Sequence, residues 1–518
     1  MTKYVDTPTN EIVPDVVRKD VRVLLAVVQQ KVDLLDQGIS QSQHLPDRRL
    51  RAKHRQAYTA LIGRLKTIIA PHKRLPSELF AYIFYLTLPY NFQISVPCRP
   101  RIYDPIDRRP WTFGHICSSW RQIALTDYRL WNRIVIRVHF IKPFHRQLLE
   151  TVLLRSGSAP LDVEMRADCS FMSVSDIVLP QAGRISRLNL HARDPEGLCS
   201  FLCNFSLPGH TLSSLTYAGL FFSGRLEIPD GGIRIFGDRP LLRKLTIELH
   251  EDQSELLKAL RGLHVPFSQL TEVTFNVHSS PHSMLSILKE TANLVRCEIR
   301  FRDRSFVDDP AFVLALPHLE NLNLFSYSVE ILIRVLRHIT LPSLRQLCAV
   351  FSSAWGLVPL VPDAVPSEVL SLINRSSCHL THIKIRGNLG PIVEHLHRSL
   401  VSIDTVSSAF PASAVQRIAR RELILPRLEE LRCVLNLDTF TDLKNMVEAL
   451  WSNGDGAHGV TVRTMICSAS VRGARRGDFD RWEEEIKVSL KRLSVGGWVV
   501  FVEDDEEREL DGVSDVDE

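Results

Sequence analysis

The chain has 518 residues, 45% of them hydrophobic and 24% charged, and a formal net charge of +4. That is the composition of an ordinary folded protein, too long for one compact core, so several domains or a repeat array are expected. No uninterrupted apolar run approaches the about 20 residues of a membrane span, and the opening MTKYVDTPTNEIVPD lacks the apolar stretch of a secretory signal. No membrane association is expected, and residence is expected to be cytoplasmic and/or nuclear. The sequons Asn204-Phe205-Ser206 and Asn374-Arg375-Ser376 are then unused.

The charge is unevenly spread. Residues 503–518 hold ten acidic side chains against one Arg, a local −9 that leaves +13 on the rest. Thirteen charges over some 500 residues form no dense basic stripe with interleaved aromatics, so nucleic acid is not the expected partner. The ten Cys sit mostly in apolar runs such as CEIRF and LRCVL and read as reduced core thiols. Cys199 and Cys203 are four apart, but no second Cys/His pair follows at ligand spacing, so no metal and no cofactor are expected.

In chain order, Val21, Leu24, Leu25, Val28, Val32 and Leu35 predict a helix ended by Gly38. A second helix is predicted from Asp47 to Ile69, with Leu50, Ala57, Leu61, Leu65 and Ile68 on its apolar side. This helical region, 1–70, reads either as a hairpin or short coiled coil or as a pair of helices packed on the unit that follows. Its basic run RRLRAKHR reads as a solvated face rather than an import signal.

Residues 71–136 carry more apolar surface than their short helices need. Leu75-Pro76-Ser77-Glu78 is a helix start, with Pro76 fixing φ and Glu78 placed where the helix dipole favours a carboxylate. Leu79, Ile83, Phe84 and Leu86 follow at helical spacing, and Ile116, Cys117, Trp120, Ile123 and Ala124 form a second apolar face before the closing Leu130-Trp131. The ordered set LPxE, Ile-Phe, C-x-x-W-R-x-I-A and L-W resembles the F-box, in the long F-box-like variety abundant in mushroom-forming fungi. That resemblance implies docking on a Skp-family adaptor, and through it on a cullin, by Leu75, Pro76, Leu79, Ile83, Phe84, Ile116, Cys117, Trp120, Ile123 and Trp131. Trp120 is the expected largest contributor. The insert PYNFQISVPCRPRIYDPIDRRP, with Pro at 89, 97, 100, 105 and 110, departs from the family and is expected to be an extruded loop.

After Trp131 the period changes. Residues 134–138 and 161–165 read as strands around an amphipathic helix at 144–155. From there a pattern apolar-x-x-apolar-x-apolar starts at Ile185, Leu212, Leu242, Leu270, Leu294, Leu319, Leu344, Leu380, Leu400 and Leu428. The nine intervals average 27 residues, within the range of leucine-rich repeats. The positions that usually carry an Asn or Cys ladder hold Arg193, His250, Arg302 and Tyr327, and the spacings run from 20 to 36, so an irregular arc is expected. The stretch SSAWGLVPLVPDAVPSEVL is expected as a Pro-rich excursion, Trp482 to Leu493 as a last helix and Val499 to Phe501 as a last strand. The fold class is therefore α/β: N-terminal helices, a helical F-box, and a solenoid over 137–502, followed by a disordered acidic tail at 503–518.

Residues between the buried leucines face solvent in such a stack. Arg243, Lys244, Glu248, Glu272, Asn276, Arg296, Glu298, Asn321 and Asn323 are expected to line a concave face that binds a target protein. No catalytic residue is expected. Gly454-Asp455-Gly456-Ala457-His458-Gly459 matches a dinucleotide fingerprint by letters, but a helix precedes it and a strand follows, the reverse of a phosphate cradle. His395 and His397 lack a third ligand nearby in sequence. The combination implies a substrate-recognition subunit of an SCF-type ubiquitin ligase, or a repeat scaffold without a ligase role.

Overall fold

The computed structural model describes residues 14–41, 44–70, 75–88, 94–96, 111–138, 143–167, 171–207, 210–224, 226–229, 231–236, 241–252, 256–278, 281–301, 313–351, 364–409, 412–420, 422–435 and 464–469. The tail, the Gly454–Gly459 stretch, the helix expected at 482–493 and the strand expected at 499–501 lie outside these residues. Two compact units divide the chain, Met1–Val163 and Glu164–Glu518.

Unit one holds α1 (Asp15–Gln41), α2 (Leu45–Ile68), α3 (Ser77–Thr87), β1 (Ile94–Val96), α4 (Trp111–Ile116), α5 (Ser118–Thr126), β2 (Arg133–Val138) and α6 (Pro143–Arg155). The first two helices form a hairpin with its own small core of Val21, Val28, Val32, Ile62, Leu65 and Ile68. Gly38 does not stop α1, which runs on to Gln41. A Cβ at that position would collide with the Arg51 guanidinium, so the glycine makes room for a side chain of α2. Leu50, expected on the buried side, is exposed. Within the insert expected only as a loop, the proline-free Ile94–Val96 pairs in parallel with β2, Ile94 against Ile134. The unit runs to Val163, and the end expected for the F-box, residue 136, falls inside it. Arg155 of α6 lies 4.6 Å over the Trp131 ring and ties that helix to the region before it.

β3 (Leu161–Ala167) spans the division, and unit two continues with α7 (Met172–Val178), β4 (Ile185–Ala192), α8 (Pro195–Asn204), β5 (Tyr217–Phe222), β6 (Lys244–Asp252), α9 (Leu256–Gly262) and β7 (Glu272–His278). Next come α10 (Pro281–Leu288), β8 (Arg296–Phe301), β9 (Leu314–Ala315), β10 (Asn321–Ser326), α11 (Val329–Arg337), β11 (Ile339–Thr340), β12 (Gln346–Phe351) and α12 (Ala364–Ser376). β13 (His382–Ile385), α13 (Gly390–Leu396), β14 (Ser402–Ala409), α14 (Ala412–Ala419), β15 (Glu430–Leu435) and β16 (Thr464–Ala469) complete the unit. The strands β4 to β8, β10 and β12 to β16 lie side by side in chain order, and each neighbouring pair is parallel. β9 and β11 make a separate two-residue ladder. The stretch expected as a Pro-rich excursion ends in helix: α12 begins at Ala364 and takes Pro366 into its first turn.

A backbone ladder sets the register. The Thr216 carbonyl accepts N–H bonds from both Arg243 and Lys244, at 2.9 and 3.1 Å, and the Arg243 carbonyl in turn accepts from Thr271 and Glu272. The same fork recurs from Thr271 to Val295, Glu320, Arg345, Thr381, Val401 and Glu429. Each of these residues directly follows a buried apolar start, and the strand that follows buries the third residue after that start and turns the second to the opposite face. The ladder also corrects one start. Ala218 is level with Leu188 and Leu245 across the sheet, so the start in phase is Leu215 and not Leu212.

On the inner face Leu188, Leu245, Val273, Cys297, Leu322, Leu347, Ile383, Ile403 and Leu431 are all buried. The intervening helices add apolar faces such as Ile331, Leu332, Val335 and Leu336 of α11. α12 is also tied by polar bonds to the end of α11 and to β11 and the residue after it: Arg375 of α12 donates to the Leu336 and Ile339 carbonyls at 2.7 and 3.1 Å, and Ser376 Oγ accepts the Leu341 N–H at 2.9 Å. Burial pushes the Cys297 thiol up to about 12 and the Cys348 thiol up to about 11, so both stay protonated at neutral pH.

The two faces of β7 make opposite predictions. Phe275 is fully buried on the inner face, so Phe275→Ala costs about 3–5 kcal/mol. Thr274 is on the other face, and Thr274→Ala costs under about 1 kcal/mol. Urea denaturation of the full chain reads both, and equal losses contradict the assignment of faces.

Candidate functional site

The helices α3 to α5 enclose an aromatic interior. Phe84 is buried, stacked on Phe113 at 4.4 Å and tilted against Trp120 at 4.8 Å, and Phe80 meets Trp120 at 5.6 Å. Trp131 is fully buried. Its indole Nε1 donates to the Ala124 carbonyl at 2.7 Å, and Trp111 meets its ring edge-on at 4.7 Å. The Arg155 guanidinium rests on both indoles, 4.5 Å from the Trp111 ring and 4.6 Å from Trp131. Loss of water around it lowers the Arg155 pKa from its ordinary value. Two local bonds set the turns: Cys117 Sγ accepts the Trp120 N–H at 3.5 Å as the cap of α5, and the Asp127 carboxylate accepts the Arg129 N–H at 3.1 Å.

These contacts sort the expected adaptor residues. Leu79, Ile83 and Ile116 are 48%, 40% and 56% exposed, and Pro76 is exposed beside them at the start of α3. Leu75, Cys117 and Trp120 are half-buried. Phe84, Ile123 and Trp131 are interior and have no surface to give a partner. The reason is size: the rings, with Phe80 and Phe113, fill the small interior and leave the branched aliphatic side chains outside. Trp120 is held by Phe80 and Phe84, so only part of its indole faces outward and it is not the dominant surface residue. Sequence spacing missed Tyr82, which lies exposed between Leu79 and Leu86 on α3.

The residues expected to bind a target come together on the sheet face opposite the core. Lys244, Glu272, Arg296 and Asn321 are level with one another on successive strands, as are Glu248 with Asn276 and Glu298 with Asn323. Arg243 stands just before β6, with its carbonyl in the ladder. All nine are exposed or half-buried. They also satisfy each other: Glu272 accepts from Lys244 at 2.6 Å and from Arg296 at 2.9 Å, and Glu248 accepts from Asn276 at 2.7 Å. The pattern continues with Glu298 and Arg300, Lys384 and Asp404, and Glu430 and Arg432. Each such surface pair contributes only about 0–1 kcal/mol. The alternation nonetheless leaves acidic and basic side chains paired along the face.

Among the described residues no group of three or more His, Cys, Asp or Glu is arranged to hold a metal. His395 and His397 line a cleft of about 430 Å³ with His379 and Arg398, at the ends of α12 and α13. Cys199 donates to the Glu227 carbonyl at 3.0 Å, and its pKa is raised to about 11, chiefly by burial. No protein-family model matches the chain, and no curated protein does. Among solved structures, a Bacteroides fragilis protein aligns with a TM-score of 0.32 at 12% identity, over 51% of this chain and 66% of that one. The alignment thus spans just under two thirds of that protein's length, and at such a score it assigns neither fold nor function.

At the start of this face His191 stacks on Phe221 at 4.1 Å. Burial lowers its pKa from 6.5 to about 4, against the opposing pull of Glu164 at 3.7 Å. The neutral ring is therefore the folded form. Its contribution is complete above pH 6.5 and is lost as pH falls from there through 4. Melting temperatures measured across that window should fall less in His191→Gln than in the parent, and parallel curves contradict the assignment.

Proposed function

We propose that this chain is the substrate-recognition subunit of an SCF-type ubiquitin ligase. In this reading α3 to α5 are an F-box that docks a Skp-family adaptor, and through it a cullin. The strands of unit two are an irregular leucine-rich-repeat solenoid whose polar face holds a target protein. The chain makes and breaks no bond itself: it brings target lysines near the ubiquitin-loaded enzyme.

The observation that carries this reading is that Leu79, Tyr82, Ile83 and Leu86 of α3 and Ile116 of α4 stay exposed on helices whose interior is already filled with aromatic rings. Folding does not require such a surface, and a partner does. The ordered F-box set supports the same assignment. The repeat reading is supported by parallel strands in chain order, one per apolar start, at a mean spacing of 27 residues. A scaffold without ligase role is the competing reading. It draws on Phe84, Ile123 and Trp131, which are satisfied within their own unit.

Co-purification of the full chain with a purified Skp-family adaptor separates the two. The triple variant Leu79→Ala, Ile83→Ala, Ile116→Ala removes exposed side chains only, so the fold is retained and binding falls about tenfold or more. Phe84→Ala, by contrast, loses thermal stability first. Undiminished binding by the triple variant sinks the ligase reading and leaves the scaffold.

A further inference from the structure

The hairpin helix α1 carries two apolar seams. One, through Val21, Val28 and Val32, is buried against α2. The other runs through Val16, Asp20, Val23, Val27, Gln30 and Leu34, at spacings of four, three, four, three and four. At about 100° per residue these six keep within about 40° of one line along the helix, on the side away from α2. Four-three alternation is the seam of a coiled coil. Here it lies open: Val16, Val23, Val27 and Leu34 are 75%, 62%, 42% and 60% exposed.

The seam is also its own complement. Turned end for end about the level of Leu25, it maps onto itself: Val16 onto Leu34, Asp20 onto Gln30, Val23 onto Val27. We infer that α1 is a homodimerisation helix, pairing antiparallel with α1 of a second copy while each α2 stays on the outside. Apolar residues then meet apolar residues along about 28 Å of helix. The Asp20 carboxylate faces the Gln30 amide of the second copy, with Lys31 beside it. A parallel pair would set Asp20 against Asp20, and one such polar mismatch decides orientation in a coiled coil. Self-complementarity about a two-fold axis is what an isologous dimer interface requires.

This inference does not rest on the ligase reading. Its test is the mass of the full chain in solution, by light scattering at micromolar concentration, where twice the 58.9 kDa of one chain is expected. Val23→Glu with Val27→Glu should give a monomer of unchanged helix content, because both side chains lie outside the hairpin core. Oxidised mixtures of Val16→Cys chains and Leu34→Cys chains should cross-link between those two sites, and neither variant should do so alone. A monomeric parent overturns the proposal, and so does a dimer that survives the double Glu variant. Cross-linking of Val16→Cys alone means a parallel pair and overturns it too. A monomer in which Val23→Cys resists thiol reagents means that the chain covers its own seam. Should the double Glu variant fail to fold, the cross-linking arm decides.

Discussion

The forked backbone bond at the entrance to each strand is the constraint on which unit two depends. One carbonyl takes two N–H donors from the following strand, and the fork repeats from Thr216 to Glu430. Buried peptide groups must be paired, and each such bond is worth about 0.5–1.5 kcal/mol net. The larger effect is geometric. Because the fork fixes where every strand begins, the apolar start always enters the core, and the second residue after it always reaches the polar face. Thr216, Thr271 and Thr381 reinforce the fork, each hydroxyl donating to the carbonyl that its own N–H already uses. The chain between one strand and the next is under no such constraint. Closing a longer loop costs only about 0.6 kcal/mol per doubling of length, which is why spacings from 20 to 36 residues are tolerated.

Unit one is organised by side-chain volume. Its helices are too short to bury everything apolar that they carry, and large rings gain most from burial. Phe84, Phe113, Trp111 and Trp131 therefore fill the inside, Arg155 lies across two of the indoles, and Leu79, Ile83 and Ile116 stay at the surface. An exposed aliphatic face can thus arise as the remainder after a small unit has filled its own core. The same holds for α1, whose one seam satisfies the hairpin while the other stays open.

The sequence made the period of unit two legible because apolar side chains larger than Ala mark the core at nine of the ten starts. It misled at the tenth, where Ala218 is too small to stand out and Leu212 lies near the true start by chance. Likewise Gly38 reads as a helix stop, since a glycine's use as clearance for a distant Arg51 cannot be seen along one helix. The polar face was recoverable from alternation alone, but its mutual ion pairs depend on strand order, which no local pattern contains. In α3 to α5, spacing identified an apolar face without dividing it into inside and outside. That division depends on Phe80 and Phe113, which lie on two separate helices.

In the proposed function an adaptor sits on the aliphatic side chains left exposed on α3 and α4. Hydrogen–deuterium exchange of the full chain, with and without a purified Skp-family adaptor, tests it most directly. An adaptor seated there slows exchange in peptides covering 77–87 and 111–116 and leaves the strands of unit two unchanged. Unaltered exchange in those helices, or protection that falls on the sheet instead, would contradict it.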